Sequence, residues 1–450
     1  KIERNPLANK KIEKTKNLKL TDEQKNAYDK VVLDMITNSY EQFLLYGVTG
    51  SGKTEVYLQL IDKALKQEKT AIVLVPEISL TPQMIDIGII IIDEEHDSSY
   101  KSEAIPKYDA KEIAKRIAKE NNCPLVLGSA TPDLITYYKA QQGKVTLLEL
   151  SKRANNSKLP EVEIVDLKME LANGNRSMLS TKLYGEIEQN LKQHRQTILF
   201  LNRRGFSTFI MCRECGYTVK CKNCNISMTY HKTENKLKCH YCGYEENVVT
   251  VCPECHSTKI RYFGTGTQKL EQEINKLFPE ASTIRMDIDT VTKKNSHEEI
   301  LNKFKNENID ILIGTQMVVK GHHFPNVTLV GVIAADSSLN IDDYRANERT
   351  FQILTQVAGR AGREQLDGKV IIQTYNPDNF SIICAQKQDY KMFYNTEIAL
   401  REQLKYPPFC DIIVIGLSGE KEQEVIKEAK KIHKYLKERI ITEKIGVLLY

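Results

Sequence analysis

The chain has 450 residues, 41% hydrophobic and 27% charged, with no tryptophan and a formal net charge of +5. Such a length allows about two to four domains, each able to bury its own core. No apolar stretch approaches the length of a membrane span and the first residues are charged, so neither a transmembrane helix nor a signal peptide is expected. The slight excess of basic residues permits a nucleic-acid partner without arguing for one.

Residues 1–19 carry seven Lys/Arg and two Glu with no apolar periodicity, and read as a basic linker leading from a missing N-terminal DNA-binding region. The sequence begins at a lysine and stops at Val447-Leu448-Leu449-Tyr450, inside what reads as an apolar strand, so flanking domains are expected to be missing. Phe43-Leu44-Leu45-Tyr46 then runs into Gly47-Val48-Thr49-Gly50-Ser51-Gly52-Lys53-Thr54, which precedes an amphipathic helical stretch from Val56 to Leu65. This is G-x-x-x-x-G-K-[ST] in its strand–loop–helix setting. Gly47, Gly50, Ser51 and Gly52 let the backbone wrap a polyphosphate, with a helix N-terminus aimed at the negative charge. Lys53 is expected to reach the β- and γ-phosphates of ATP, and Thr54 to hold Mg²⁺.

Three further apolar runs follow: Thr70 to Val75, Gly88 to Ile92 and Pro124 to Leu127. The second ends in Asp93-Glu94-Glu95-His96 and the third in Gly128-Ser129-Ala130-Thr131. Apolar strands alternating with helices predict an α/β fold with a parallel sheet and ligands at the carboxyl ends of its strands. Asp93 is then placed to hold Mg²⁺ through water, and Glu94 to polarise the water that attacks the γ-phosphate. A second α/β unit is predicted from Thr197 to Leu201, Asp310 to Gln316 and Val327 to Ala334. A helix there delivers Gln356-Val357-Ala358-Gly359-Arg360-Ala361-Gly362-Arg363. Arg360 and Arg363, one turn apart on the same helical face, are expected to act with Gln356 on the transferring phosphoryl group. The arrangement requires Lys53 and the two guanidinium groups to meet across a cleft.

Eight of the 11 cysteines form four C-x-x-C pairs: Cys212/Cys215, Cys221/Cys224, Cys239/Cys242 and Cys252/Cys255. Eight thiolates supply two closed tetrahedral sites, and a chain without an export signal favours two Zn²⁺ over disulfides or redox dithiols. Cys221/Cys224 and Cys239/Cys242 are separated by 14 residues, close to zinc-ribbon spacing, which leaves Cys212, Cys215, Cys252 and Cys255 to share the other ion. Lysines 220, 222, 232, 236 and 238 either track a phosphate backbone or keep a small surface soluble. Cys123, Cys384 and Cys410 stand alone and read as buried small residues.

Gly47 to Thr54, Asp93 to His96, Gly128 to Thr131 and Gln356 to Arg363 resemble, in order, the motifs of superfamily 2 DExH helicases. Leu20-Thr21-Asp22-Glu23-Gln24 is similar to that superfamily's glutamine motif, which implies Gln24 as the adenine reader. Asn202-Arg203-Arg204-Gly205-Phe206, the segment Gly314 to Pro325 and the four C-x-x-C pairs together resemble the bacterial replication-restart helicases, from about Leu20 to the end of the chain. The resemblance implies two RecA-like parallel-sheet lobes, a double-zinc insertion in lobe 2 with nested cysteine pairing, and a partial α+β C-terminal domain. Its map places lobe 1 at residues 20–150, lobe 2 at 151–206 and 264–388, the zinc module at 207–263 and the truncated C-terminal domain at 389–450.

By the same resemblance Tyr100 and Tyr108 lie in an aromatic loop that senses single strands, and Thr315, Lys320 and His322, with His323, contact DNA. The implied activity is a cytoplasmic, nucleoid-associated, monomeric 3′-to-5′ DNA helicase without membrane contact that remodels stalled or branched forks and initiates primosome assembly. Implied partners are single-stranded and forked DNA, primosome and helicase-loading proteins, and single-strand DNA-binding protein. Two other readings are a DNA-binding scaffold with an ATP-gated affinity switch and a DExH RNA helicase. One departure is visible. Only Thr81 to Asp86 links the first strand end to the isoleucine strand, too little for another sheet layer, so chain between about Met84 and Ile85 is expected to be absent.

Overall fold

The computed structural model describes residues 17–76, 78–79, 86–102, 105–154, 159–201, 209–223, 226–231, 234–240, 242–263, 266–287, 296–315, 318, 324–341, 343–362 and 367–439. They fall into two compact units, Lys1–Asn156 and Ser157–Tyr450. The link around Met84 and Ile85, the Asn202–Phe206 motif and the terminal Val447–Tyr450 lie outside the described residues.

Unit 1 is a six-stranded sheet built from β1 (Gln42–Gly47), β2 (Thr70–Val75), β3 (Ile78–Ser79), β4 (Ile87–Ile92), β5 (Leu125–Ser129) and β6 (Thr146–Leu150), ordered β3-β2-β4-β5-β1-β6. All pairings are parallel except β2 with the short β3. Strands buried on both faces need no alternation, which is why Ile87–Ile92 reads as an unbroken apolar run. Helices α1 (Asp22–Thr37), α2 (Lys53–Lys66), α3 (Ala110–Glu120) and α4 (Leu134–Gln141) cover the sheet. Val31, Leu45, Leu60, Ile89 and Val126 meet in one core. A capping box starts α1: the Gln24 backbone N–H donates to Thr21 Oγ1, and the Thr21 N–H donates to Gln24 Oε1 at 2.9 Å.

Unit 2 carries a second parallel sheet. Its strands are β7 (Glu161–Asp166), β8 (Gln196–Phe200), β14 (Thr283–Met286), β15 (Ile311–Gly314), β16 (Val327–Val332) and β17 (Lys369–Thr374), ordered β14-β15-β8-β16-β17-β7. Between β8 and β14 lies the cysteine module, which contributes β9 (Phe209–Cys212), β10 (Thr229–His231), β11 (Lys236–Lys238), β12 (Glu245–Asn247) and β13 (Ile260–Phe263). Strands β9 and β13 pair antiparallel, with Cys212 opposite Ile260, and form the stem of the insertion. The module keeps its own small core around Val219, Met228, Leu237 and Ile260.

Two expected boundaries move. The Ser151 N–H and hydroxyl donate to the Glu23 carboxylate, and the Ala154 N–H donates to Gly50 O at 3.0 Å, so residues 151–154 belong to the first unit. The helices Phe380–Lys387 and Tyr390–Leu404 pack on the helix Ala346–Ala358, with Phe351 stacked on Phe393 at 4.4 Å. Residues 389–410 therefore continue lobe 2 and do not open a separate domain. Beyond them, Ile412, Ile413, Val414 and Ile415 are exposed and precede the helix Glu422–Arg439. Of the three isolated cysteines, Cys123 and Cys384 are buried as expected and Cys410 is half-buried, its thiol donating to Lys405 O.

The strongest tie in that region is ionic. Arg401, buried, donates from Nη2 to Glu348 Oε2 (2.6 Å) and from Nε to Glu397 Oε1 (2.9 Å). One cation facing two buried carboxylates favours a proton on one of them, and burial pushes the Glu397 carboxyl up from 4.5 to about 7 against the pull of Arg401. A carboxyl whose pKa is raised by folding contributes stability below its unfolded value and loses it as pH rises through the folded one. Glu397→Gln is therefore expected to lose less stability than the wild type between pH 4.5 and about 7, read from urea unfolding curves at each pH. An unchanged pH dependence would contradict the assignment.

Candidate nucleotide site and cysteine module

The strand order sets the site. Strands β4, β5 and β1 lie side by side, so Asp93–His96, Gly128–Thr131 and the Gly47–Thr54 loop emerge at neighbouring carboxyl ends. Helix α2 begins at Lys53, and Gly52 caps it in the left-handed region (φ 78°) with no side-chain hydrogen bond to the first-turn N–H groups. A Cβ at Gly52 would also run into the Gln24 amide nitrogen. Lys53 Nζ donates to Gly47 O at 2.8 Å, while Thr54 is exposed. Ser51 is 2% exposed, and its hydroxyl has no hydrogen-bond partner among the described residues. Uncapped N–H groups, an unpartnered hydroxyl and a lysine gathered on one glycine-rich loop fit an anionic polyphosphate.

Charge around the loop is balanced by proximity. Burial lowers the Lys53 pKa, opposed by Glu94 and Asp93. Burial, then the neighbouring Glu94, raises that of Asp93, opposed by Lys53. Tyr57 donates its hydroxyl to Asp93 Oδ1 at 3.2 Å, and burial raises its pKa well above the ordinary phenol value. Tyr57 passes over β5 at Gly128, where any Cβ would collide with its hydroxyl. Sequence reasoning missed Tyr57, although its place one turn into α2 was a usable signal.

The Asp93–His96 turn is fixed from several sides. Glu94 sits at φ 48°, a left-handed conformation uncommon for a residue with a side chain. The Glu95 N–H donates to Gly128 O at 3.0 Å. His96 Nδ1 lies 2.7 Å from Ser129 Oγ and 3.6 Å from Glu94 Oε2, and Ser129 Oγ accepts the Thr131 N–H. The Glu95 carboxylate is fully buried. It accepts the Asp133 N–H (2.6 Å), Lys111 Nζ (3.0 Å) and Thr136 Oγ1 (3.1 Å).

Three expectations need correction. Tyr100, expected to stack on a base, is 6% exposed, and its hydroxyl donates to Asp93 O (2.7 Å) and Leu74 O (3.0 Å). Only Tyr108 of the pair faces solvent, at 53% exposure. Gln24, expected to read adenine, is buried and uses its amide on the Thr21 N–H and on Ser51 O (2.8 Å), bracing the phosphate loop. Arg360, expected on a helix, lies past its end: the helix stops at Ala358, Gly359 caps it, and the Arg360 N–H closes a turn onto Val357 O. Gln356 is on the last turn of that helix, and Thr315 directly follows β15. Gln316, Lys320, His322, His323, Arg363 and Cys224 lie outside the described residues.

In the cysteine module the sulfurs of Cys212, Cys215, Cys252 and Cys255 converge, and so do those of Cys221, Cys239 and Cys242, all within 4.8 Å of one another in each group. Separations are 3.6 Å for Cys212–Cys255, 3.5 Å for Cys215–Cys252 and 3.4 Å for Cys221–Cys242. Four thiolates around zinc at about 2.3 Å stand about 3.8 Å apart, so the groups suit a tetrahedral ion. Three of the four knuckles close in the same way: the N–H groups of Gly216, Gly243 and His256 donate to the carbonyls of Cys212, Cys239 and Cys252. All three take positive φ. Lys236 and Lys238 are paired with Glu245, and Lys222 lies over the Tyr244 ring, so these three are engaged within the module.

Comparison with known proteins agrees with this layout. The family described as "PriA DNA helicase Cys-rich region (CRR) domain" matches residues 221–246. "Type III restriction enzyme, res subunit" matches 17–87, and "Helicase conserved C-terminal domain" matches 246–365. Replication restart protein PriA of Bacillus subtilis is 46% identical over 486 residues, covering 97% of this chain and 60% of the relative. The PriA of Treponema pallidum is 38% identical, covering 89% of the chain and 67% of the relative. That of Borreliella burgdorferi is 35% identical, covering 97% and 73%.

The crossing of Tyr57 over Gly128 gives a direct check. Gly128→Ala is expected to cost about 1–3 kcal/mol in urea unfolding, the usual penalty for overpacking. Combining it with Tyr57→Phe, which removes the colliding hydroxyl, should recover part of that loss.

Proposed function

The chain belongs to the family of replication restart protein PriA, and from that premise we propose that it is the motor of an ATP-dependent 3′-to-5′ DNA helicase. The observation that carries this reading is the convergence of the Lys53 loop, the Asp93–Glu94 turn and the Ser129–Thr131 segment at three adjacent strand ends. The chain spans 60% of the length of the Bacillus subtilis relative.

Bound MgATP supplies the transferable γ-phosphoryl group, with the metal spreading its developing charge. Lys53 and the Gly47–Thr54 backbone bind the phosphates, Thr54 and Asp93 hold the metal, and Glu94 takes the proton of the attacking water. Gln356, Arg360 and Arg363 keep the role the helicase resemblance implies for them, stabilising charge on a transferring phosphoryl group. Gln24 keeps the phosphate loop in shape. Thr315, Lys320 and His322 are assigned to the DNA backbone and Tyr108 to a base face.

Cys212, Cys215, Cys252 and Cys255 would hold one zinc ion and Cys221, Cys239 and Cys242, with Cys224 from the sequence, a second, and bound zinc would make the module rigid. Acting on stalled forks in the bacterial cytoplasm, such a motor works as a monomer with primosome and helicase-loading proteins and single-strand DNA-binding protein.

ATPase activity on single-stranded DNA, forked DNA and RNA tests the reading. Stimulation by DNA is expected. Tight fork binding without stimulation supports a scaffold, and preference for RNA supports an RNA helicase. Lys53→Ala is expected to abolish turnover and leave DNA affinity largely intact; joint loss of both contradicts a separable ATP site. Cys239→Ala should release one zinc and impair strand separation more than ATPase.

A further inference from the structure

Tyr57 stands one turn beyond Lys53 on α2, so the two side chains share a helical face. Lys53 turns back to Gly47 O, whereas Tyr57 crosses β5 to the end of β4 and donates its hydroxyl to Asp93 Oδ1 at 3.2 Å. The sheet leaves room for that crossing, since a Cβ at Gly128 would overlap the phenolic oxygen and crowd the ring carbon that bears it. Tyr57 is 4% exposed, and its ring belongs to the core that holds Leu60, Ile89, Ile91 and Val126. Phenylalanine would fill that core equally well. The hydroxyl serves Asp93.

Asp93 has little freedom apart from its carboxylate. Its N–H donates to Leu74 O at 2.9 Å, and its carbonyl accepts the Tyr100 hydroxyl at 2.7 Å. With the backbone held on both sides, rotation of the side chain about its two torsions is what remains. A bond to Oδ1 restricts that rotation. The Asp93 carboxylate and the Thr54 hydroxyl offer oxygen alone, the donor type that suits Mg²⁺, a hard cation that keeps several waters and accepts little departure from octahedral geometry. An ion so demanding gains from a ligand oriented in advance, and partners bonded behind a ligand commonly do this at metal centres.

We propose that Tyr57 is a positioning residue for the metal site: its hydroxyl holds one carboxylate oxygen of Asp93, leaves the other for the Mg²⁺ that accompanies ATP, and so sets how tightly the nucleotide complex retains its metal. The inference rests on the metal-holding role given to Asp93 above.

The test follows the metal itself. Binding of Mn²⁺, a paramagnetic stand-in for Mg²⁺, to the protein–ADP complex is read by electron paramagnetic resonance. Wild type, Tyr57→Phe, Asp93→Asn and the double variant are compared, and ADP affinity in EDTA is read with a fluorescent analogue. Tyr57→Phe is expected to weaken Mn²⁺ about tenfold, with metal-free ADP affinity changed by less than about twofold. The Mg²⁺ concentration for half-maximal ATPase should rise in proportion. Because Tyr57 acts through Asp93, the double variant should bind Mn²⁺ no more weakly than Asp93→Asn alone. Gly128→Ala, which keeps the hydroxyl but drives it from its place, is expected to repeat the metal defect.

Unchanged Mn²⁺ affinity in Tyr57→Phe or in Gly128→Ala, or additive losses in the double variant, would overturn the inference. So would metal-free ADP affinity falling in step, which marks a collapsed phosphate loop. Weakened Mn²⁺ in Asp93→Asn beside an unaffected Tyr57→Phe sinks the inference alone. Wild-type Mn²⁺ affinity in Asp93→Asn removes the role given to Asp93 and this inference with it.

Discussion

A cation and a carboxylate drawn out of water beside a second, partly exposed carboxylate are the constraint around which unit 1 is organised. Burial disfavours the charges on Lys53 and Asp93, and each offsets part of that for the other, with Glu94 supporting the Lys53 charge. The group stays together only because β4, β5 and β1 run parallel in adjacent register and end at one level. Much of the local detail serves that end: a glycine where Tyr57 must cross β5, a buried glutamine under the phosphate loop, and a carboxylate at Glu95 gathering three donors. A sheet order with β1 and β4 at opposite edges would leave the same side chains as separate solvated charges.

The cysteine module meets a different physical problem. Its core is small, and its strands are three or four residues long. Pieces of that size rarely bury enough apolar surface to hold a fold alone. The converging thiols supply the remaining constraint, and the knuckles that present them are closed by backbone hydrogen bonds of one repeated pattern. The module is also seated on the body of unit 2: Ser227 bonds Asn340, and Gly216 lies against Tyr375 with too little room for a Cβ.

What could be seen in the sequence followed from how local each signal is. The phosphate loop, the isoleucine strand and the four cysteine knuckles are contiguous patterns whose chemistry is set by nearest neighbours, and the two parallel sheets follow from their alternation with helices. Tyr100 was misread because an aromatic residue beside carboxylates looks the same whether it faces solvent or the core. Gln24 was given a ligand because its competing partner, Ser51 O, is 27 residues away. Arg360 was put on a helix because two glycines in a helical pattern do not say which of them ends it. Glu95 drew no attention, since its partners are 16, 38 and 41 residues distant, and no spacing rule reaches that far.

The antiparallel stem formed by β9 and β13 carries a last consequence. Because Cys212 faces Ile260 in register, everything from Arg213 to Lys259 enters and leaves the lobe at one pair of neighbouring backbone positions. Such an entry point is a ready splice site. A tight hairpin joining the two strands would close the chain without disturbing the parallel sheet beneath, and a foreign domain with adjacent termini would fit the same socket.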